Sequence, residues 1–244
     1  MPQPTFLGNE DLLELIIEKQ FEIMSLQNNI ACSVTDVTHF QEWTRYHSML
    51  KKPIYVNLVK EFWKYAYLNH ENSSISSYVH DIPITIKPFS ITLATGCENT
   101  GVIVDFFKSR SLMSEKFPSL HDCSSRYDPI NPENLLPIPK AWFKLVLSNF
   151  LPRGVNQDLI RYDDQVFIYL LMNDARVNLP QSIFNHLWKS IYESRNRTKS
   201  YIPFGRILYE IFIQDELVDL ITEDGLENYP ENCLLKTNCD IFRG

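Results

Sequence analysis

Apolar residues recur at helical spacing from Val56 onward. Leu58, Val59, Phe62, Trp63, Ala66 and Tyr67 fall on one stripe, which predicts an amphipathic helix. A similar stripe comes earlier, through Leu12, Leu13, Ile16, Ile17, Phe21 and Met24. Asn9 stands before it as an N-cap, and Glu10 and Asp11 occupy the first turn, where the helix dipole favours acids. That pattern predicts an N-terminal helix within residues 1–34. A second helical region surrounds His39 to Leu50 and is interrupted at Lys51-Lys52-Pro53, because proline disfavours helix in the residue before it.

The polar, Ser- and Asn-rich stretch 69–77 reads as a loop. Tyr78-Val79 and the alternating Ile82, Ile84 and Ile86 then predict a β-hairpin with His80-Asp81 near its turn. Pro88 fits the first turn of a short helix that stops at Gly96. Residues 109–134 show little periodicity and contain Pro118, Pro129 and Pro132, which marks a long loop or a sub-boundary. The second half predicts four helices. The first follows Pro137 and Pro139, the next is capped by Asp163 or Asp164, the third by Asn178, and Pro203 opens the last. Residues 222–244 are acidic and weakly patterned, and read as a tail.

The chain is thus expected to be mainly α with a small β-hairpin, an α+β helical domain over residues 35–221. The N-terminal helix and the acidic tail flank it. Of its 244 residues 44% are hydrophobic, enough for one large core or two small ones. No apolar run approaches the roughly 20 residues of a membrane span. The start of the chain lacks a basic region followed by a long apolar one, so an intracellular protein, nuclear or cytoplasmic, is expected rather than a secreted one.

Charge is unevenly distributed. The net is −7, but residues 1–22 hold five acids and one base, and residues 215–244 hold eight acids and two bases. Residues 23–214 carry a net of +3. A local basic patch is therefore compatible with an acidic chain, and the acidic ends are free to fold over it. The five cysteines, Cys32, Cys97, Cys123, Cys233 and Cys239, are widely spaced without a C-x-x-C pair, which argues against a zinc site and for reduced thiols.

Three blocks carry a resemblance to a known family. The first is Tyr55-Val56-Asn57-Leu58-Val59-Lys60-Glu61-Phe62-Trp63. The second runs from Ser77 through Tyr78-Val79-His80-Asp81-Ile82-Pro83-Ile84-Thr85-Ile86 to Pro88, Ile91, Gly96 and Gly101. The third comprises Leu136-Pro137, Asn149-Phe150-Leu151-Pro152-Arg153, Asn178-Leu179-Pro180 and Ile202-Pro203-Phe204-Gly205-Arg206-Ile207-Leu208. In this order and spacing they resemble the putative plant transposon protein family, over roughly residues 50–221. Val56 stands where that family often has proline, and Asp81 where it often has glycine. The resemblance implies a mobile-element origin. It does not imply transposase activity, because it supplies no catalytic residues to carry over.

A transposase-type core needs three placed carboxylates holding two metal ions. Asp105, Asp163, Asp164, Asp174 and Glu210 are the available acids, and Asp105 ends the strand-like run Val102 to Phe106. The alternating strands and helices of such a core are missing. Six histidines are scattered without an H-x-x-x-H pair, and no G-x-S-x-G motif exists. No catalytic residue, metal ligand or cofactor is therefore assigned.

The segment around 189–206 is the strongest functional candidate. Lys189, Arg195, Arg197, Lys199 and Arg206 lie among Tyr192, Tyr201 and Phe204, with Glu193 as the nearest acid. Arg and Lys neutralise phosphates and aromatics stack on bases, so Lys189, Arg195, Arg197, Lys199, Tyr201 and Arg206 are the candidate nucleic-acid contacts. The competing reading is a solvated interhelical loop whose aromatics belong to the flanking core stripes. The expected protein is a non-enzymatic binding or assembly module. Its partner would be nucleic acid, a second copy or another element-encoded protein, and not a membrane. The alternatives are an inactive remnant or a metal-dependent transposase or nuclease component.

Overall fold

Leu58, Val59, Phe62 and Trp63 are all buried along helix α3 (Val56–Tyr65), as their spacing predicts. The computed structural model describes residues 12–16, 18, 28–50, 54–104, 114–122, 131–154, 156–195, 197, 199–219 and 234–235. Before α3 come strand β1 (Leu13–Leu15), helices α1 (Asn28–Phe40) and α2 (Thr44–Met49), and strand β2 (Ile54–Tyr55). After it come β3 (Tyr67–Asn69), β4 (Ser74–Val79), β5 (Ile82–Ile86) and α4 (Pro88–Thr95). The second half contributes α5 (Pro137–Leu145), α6 (Tyr162–Met172), α7 (Leu179–Ser194), β6 (Ser200–Ile202), α8 (Gly205–Gln214) and β7 (Leu234–Leu235). The protein is mainly helical with small β elements, an α+β fold.

The predicted hairpin is present. Strands β4 and β5 pair antiparallel, and the turn places His80 at φ 49° and Asp81 at φ 63°. A two-residue turn of this hand needs positive φ at both positions, and His and Asp tolerate it better than most side chains. The expected loop at 69–77 is corrected, because β4 begins at Ser74 and β3 adds a third antiparallel strand. Small hydroxyls with partners make this burial tolerable. Ser77 Oγ donates to the Phe62 carbonyl of α3 at 2.5 Å, and Ser76 Oγ lies 3.5 Å from Thr85 Oγ1 across the strands.

The core joins both halves of the chain. Phe62 of α3 meets Phe212 of α8 with ring centroids 5.6 Å apart. Phe150 ends a π-helical turn (Val146–Phe150) that continues α5. It stacks on Phe167 of α6 at 5.2 Å, and Trp43 lies 4.7 Å from it. Helix α4 packs against both α7 and α8 and ends at Gly96, whose φ is 71°.

Helix α7 is positioned at its start. Asn178 accepts the Gln181 N–H at 3.0 Å, the predicted cap. Gln41 reaches from the end of α1 to the same connection, donating to Ala175 O at 2.8 Å and accepting from Val177 N–H at 3.0 Å. The chain at Gly101 crosses close by at φ 104°, and a Cβ there would lie 2.4 Å from the Arg176 carbonyl oxygen. Only glycine fits both demands.

Two expectations at the ends change. Leu13–Leu15 is not helical but a strand parallel to β6, with Leu13 opposite Ser200 and Leu15 opposite Ile202. The helical stripe at Leu12, Leu13 and Ile16 satisfies the exposed edge of β6 instead, so tertiary context overrides local propensity. The other residues of that predicted helix, 9–11, 17 and 19–27, lie outside the described residues. In the acidic tail, Leu234–Leu235 pairs antiparallel with β2, and the remainder lies outside them. The strand-like run at 102–106 is described as far as Val104. Val102 bridges Val177, and Asp105 lies outside. Within 109–134, two short 3-10 turns, Ser114–Leu120 and Pro132–Asn134, are described.

Candidate nucleic-acid interface

Helix α7 turns one polar face outward along its second half. His186, Lys189, Ser190, Glu193, Ser194 and, just beyond it, Arg197 recur at three- and four-residue intervals, so they share that face. The face forms one wall of a cleft of about 280 Å³. Leu151, Pro152, Arg153, Gly154, Asn156 and Arg161 from the connection before α6, with Asp163 and Asp164 of its first turn, also line it, as do Ile16, Ser200, Tyr201 and Pro203. Four cations line it, Arg153, Arg161, Lys189 and Arg197, together with three acids, Asp163, Asp164 and Glu193.

Arg153 is the strut of the far wall. Its Nη1 donates to Asp164 Oδ1 at 2.8 Å, Nη2 to Leu159 O at 2.6 Å and Nε to Asn156 O at 3.2 Å. The pair is buried, with side chains 6% and 1% exposed. Asp164 Oδ2 also accepts the Arg161 N–H at 2.7 Å. Asp164 therefore does not sit at the N-cap as predicted but three residues inside α6, reaching back to it. Such an ion pair fixes a loop more surely than it adds stability.

His186 Nε2 lies 2.9 Å from the Pro152 carbonyl oxygen and is the donor there. Burial pushes its pKa down to about 4, and Lys189, Arg161 and Arg153 push the same way, against the hydrogen bond to Pro152. The imidazole is neutral at physiological pH, adding a fixed donor rather than a charge. Ser194 and Ser200 join the two edges of the cleft, oxygen to oxygen at 2.5 Å. Gly154 allows Tyr201 to pack on the loop, because a Cβ there would lie 1.9 Å from Tyr201 Cδ1.

The structure separates the six candidate contacts read from the sequence. Lys189, Arg197 and Tyr201 line the cleft. Arg197 also pairs with Glu193 one turn back at 3.0 Å, an exposed contact of small energy. Arg195 caps the end of α7, half-buried and outside the cleft lining. Lys199 is exposed but paired with Glu14 of β1 at 2.5 Å, and its Nζ lies 5.4 Å from the Tyr201 ring centroid. Tyr201 is thus a wall of the cleft, held by Gly154 and Lys199. Arg206 leaves the candidate set: it is 2% exposed, and its Nε donates to the Glu18 carbonyl at 3.1 Å. A guanidinium enclosed at the start of α8 cannot meet a phosphate in this conformation. Phe204 is core, as the competing reading holds, whereas Tyr192 is 61% exposed.

Sequence reasoning missed Arg153, Arg161 and His186. Arg153 stands inside the Leu-Pro-Arg-Gly run, and Asp164 reads as a cap. The pairing between them has no signal in spacing alone. Among the acids weighed for a metal core, Asp164 is committed to Arg153, Glu210 is buried on α8 and Asp174 is exposed after α6. Among the described residues no group of three His, Cys, Asp or Glu is placed to hold a metal ion, and no helix is long and apolar enough to cross a membrane.

Fold and cleft together define a mainly helical α+β domain with a small groove lined by four cations and three acids. Residues 39–217 match the family described as putative plant retrotransposon-related domain, and the chain belongs to it. No curated protein and no solved structure matches the chain.

Proposed function

We propose that this transposon-derived protein is a non-enzymatic module that holds nucleic acid by its phosphates at the cleft beside α7. One observation carries the reading: Arg161, Lys189 and Arg197 arrive on one groove from two separate segments. Arg153, His186 and Tyr201 hold the walls in place. Two or three such cations give contacts to the backbone without base readout. A groove of about 280 Å³ admits a single nucleotide rather than a duplex. Binding should therefore be weak and favour single strands, with a salt slope of about −2, near 0.7 per phosphate contacted.

The test is anisotropy of a labelled mixed-sequence oligonucleotide, single- and double-stranded, across a salt series. Lys189→Ala/Arg197→Ala should weaken binding by about tenfold and flatten the salt slope. Binding that ignores both substitutions, or none at low salt, overturns the reading.

A protein-assembly role is favoured by a different observation. Phe89 and Leu93, one turn apart on α4, are 66% and 47% exposed. Gln214 donates to the Leu93 carbonyl, which brings the end of α8 and the 38% exposed Ile213 to the same region. Self-association that survives high salt and is lost in Leu93→Glu would support this second role.

A further inference from the structure

The acidic N-terminal end does meet the basic segment, and the contact is specific. Strand β1 runs parallel to β6 with Glu14 opposite Tyr201, and Ile16 N–H donates to Ile202 O at 2.8 Å. Two three-residue strands are marginal by themselves. Side chains secure them: Leu13 is 1% exposed, and a Cβ on Gly205 would lie 2.9 Å from Leu15 Cδ1.

Each acid of this segment meets a cation or backbone amides, groups whose chemistry also suits a phosphate. Glu14 pairs with Lys199. Glu18, fully buried, accepts the Arg206 N–H at 2.8 Å and the Ile207 N–H at 3.1 Å. Those two amides form the start of α8, the positive end of its dipole, where anions bind. Its backbone carbonyl takes the Arg206 guanidinium. Ile16 is itself a wall of the cleft.

We propose that the segment Leu13–Glu18 is an internal mask on the nucleic-acid surface, its carboxylates standing where phosphates of a longer strand would lie. This rests on the phosphate-binding reading of the cleft. Withdrawal of the segment extends the cleft past Tyr201 to Lys199, Arg206 and the α8 N-terminus. When the segment is docked in most molecules, the apparent affinity is reduced to its intrinsic value multiplied by the unmasked fraction.

The test uses the full chain with Leu15→Ala and, separately, Leu13→Ala. Neither changes any charge, so a tighter complex cannot come from a simple gain of positive field. Binding to a labelled single-stranded 30-mer is measured over a salt series. Amide exchange at Ile16, Arg206 and Ile207 reports strand release. The mask predicts faster exchange at those amides, binding tightened about threefold to tenfold, and a steeper salt slope in at least one variant. Far-ultraviolet circular dichroism and a cooperative melt establish that the variant still folds, and Glu14→Gln, which removes one negative charge, serves as a surface variant whose tighter binding counts only if amide exchange at Ile16 also quickens. If none of the three tightens binding while Lys189→Ala/Arg197→Ala still weakens it, the mask is overturned and the cleft reading stands. If neither wild type nor any variant binds at low salt, both fall.

Discussion

The two halves of the basic segment have nearly the same composition and opposite fates. Lys189 on the open face of α7 and Arg197 just beyond its end line a cleft. Lys199 and Arg206, only a few residues on, are met by Glu14 and Glu18. The difference lies in what reaches each half. An acid 188 residues upstream in the chain sits at the start of α8, whereas Arg197 on the α7 side pairs with Glu193 only four residues back. Charge density along a sequence locates cations but does not say which acids reach them, or from how far along the chain.

Removing the buried acids should abolish the contrast most directly. Glu18→Ala removes the carboxylate that accepts the Arg206 and Ile207 N–H at the start of α8, and should cost about 3–5 kcal/mol in urea unfolding. Asp164→Ala removes the buried charge that pairs with Arg153 Nη1 and should cost a similar amount. A loss under about 1 kcal/mol for Glu18→Ala would mean that the α8 amides do not depend on the Glu18 carboxylate. Gly154→Ala comes next. The added methyl must displace the Tyr201 ring, costing about 1–3 kcal/mol and narrowing the cleft, so oligonucleotide binding should weaken with stability. Asn178→Ala removes the α7 cap and should cost about 1 kcal/mol without touching the cleft lining.

Acid titration divides the two halves further. His186 on the cleft side and His47 both have pKa values lowered from 6.5 to about 4, in each case chiefly by burial. Lowered folded values mean the unfolded chain takes up protons first. Stability from these two groups is therefore complete above pH 6.5 and is lost as pH falls towards about 4. Glu18 has the opposite sign. Burial raises its pKa above 4.5, against the pull of the Arg206 and Ile207 hydrogen bonds. Its folded form holds the proton more tightly, so its contribution is present below 4.5 and declines as pH rises through the raised value. Melting curves of wild type and His186→Asn between pH 4 and 7 should diverge, with the variant less sensitive to acid. The smallest effect belongs to the surface pair: Lys199→Ala should leave the melting temperature unchanged, since exposed pairs contribute little.

Much of the helical frame is legible in the sequence because it depends on near neighbours. The α3 stripe, the His80-Asp81 turn, the Asn178 cap and the Gly96 stop are each written within a few residues. The four-residue spacing of Lys189 and Glu193 likewise places them on one helix face by periodicity alone, with Arg197 following just beyond the helix. The elements that depart from expectation share a cause. Ser74–Ser77 has the polarity of a loop, yet its hydroxyls bond to α3 and to β5. Leu13–Leu15 has the apolar spacing of a helix, yet the open edge of β6 takes it as a strand.

Periodicity and short-range hydrogen bonding act over one or two helical turns. They are enough to specify the helical α+β class, the caps and turns, and a basic segment near 189–206, and the kinship follows from the ordered blocks. The folded chain alone brings Arg153 and Arg161 to Lys189 and Arg197, and encloses Arg206 beside Glu18. Both outcomes depend on which charges meet across the molecule. Ion pairing and desolvation are set by distance in space, and spacing along the chain does not encode it.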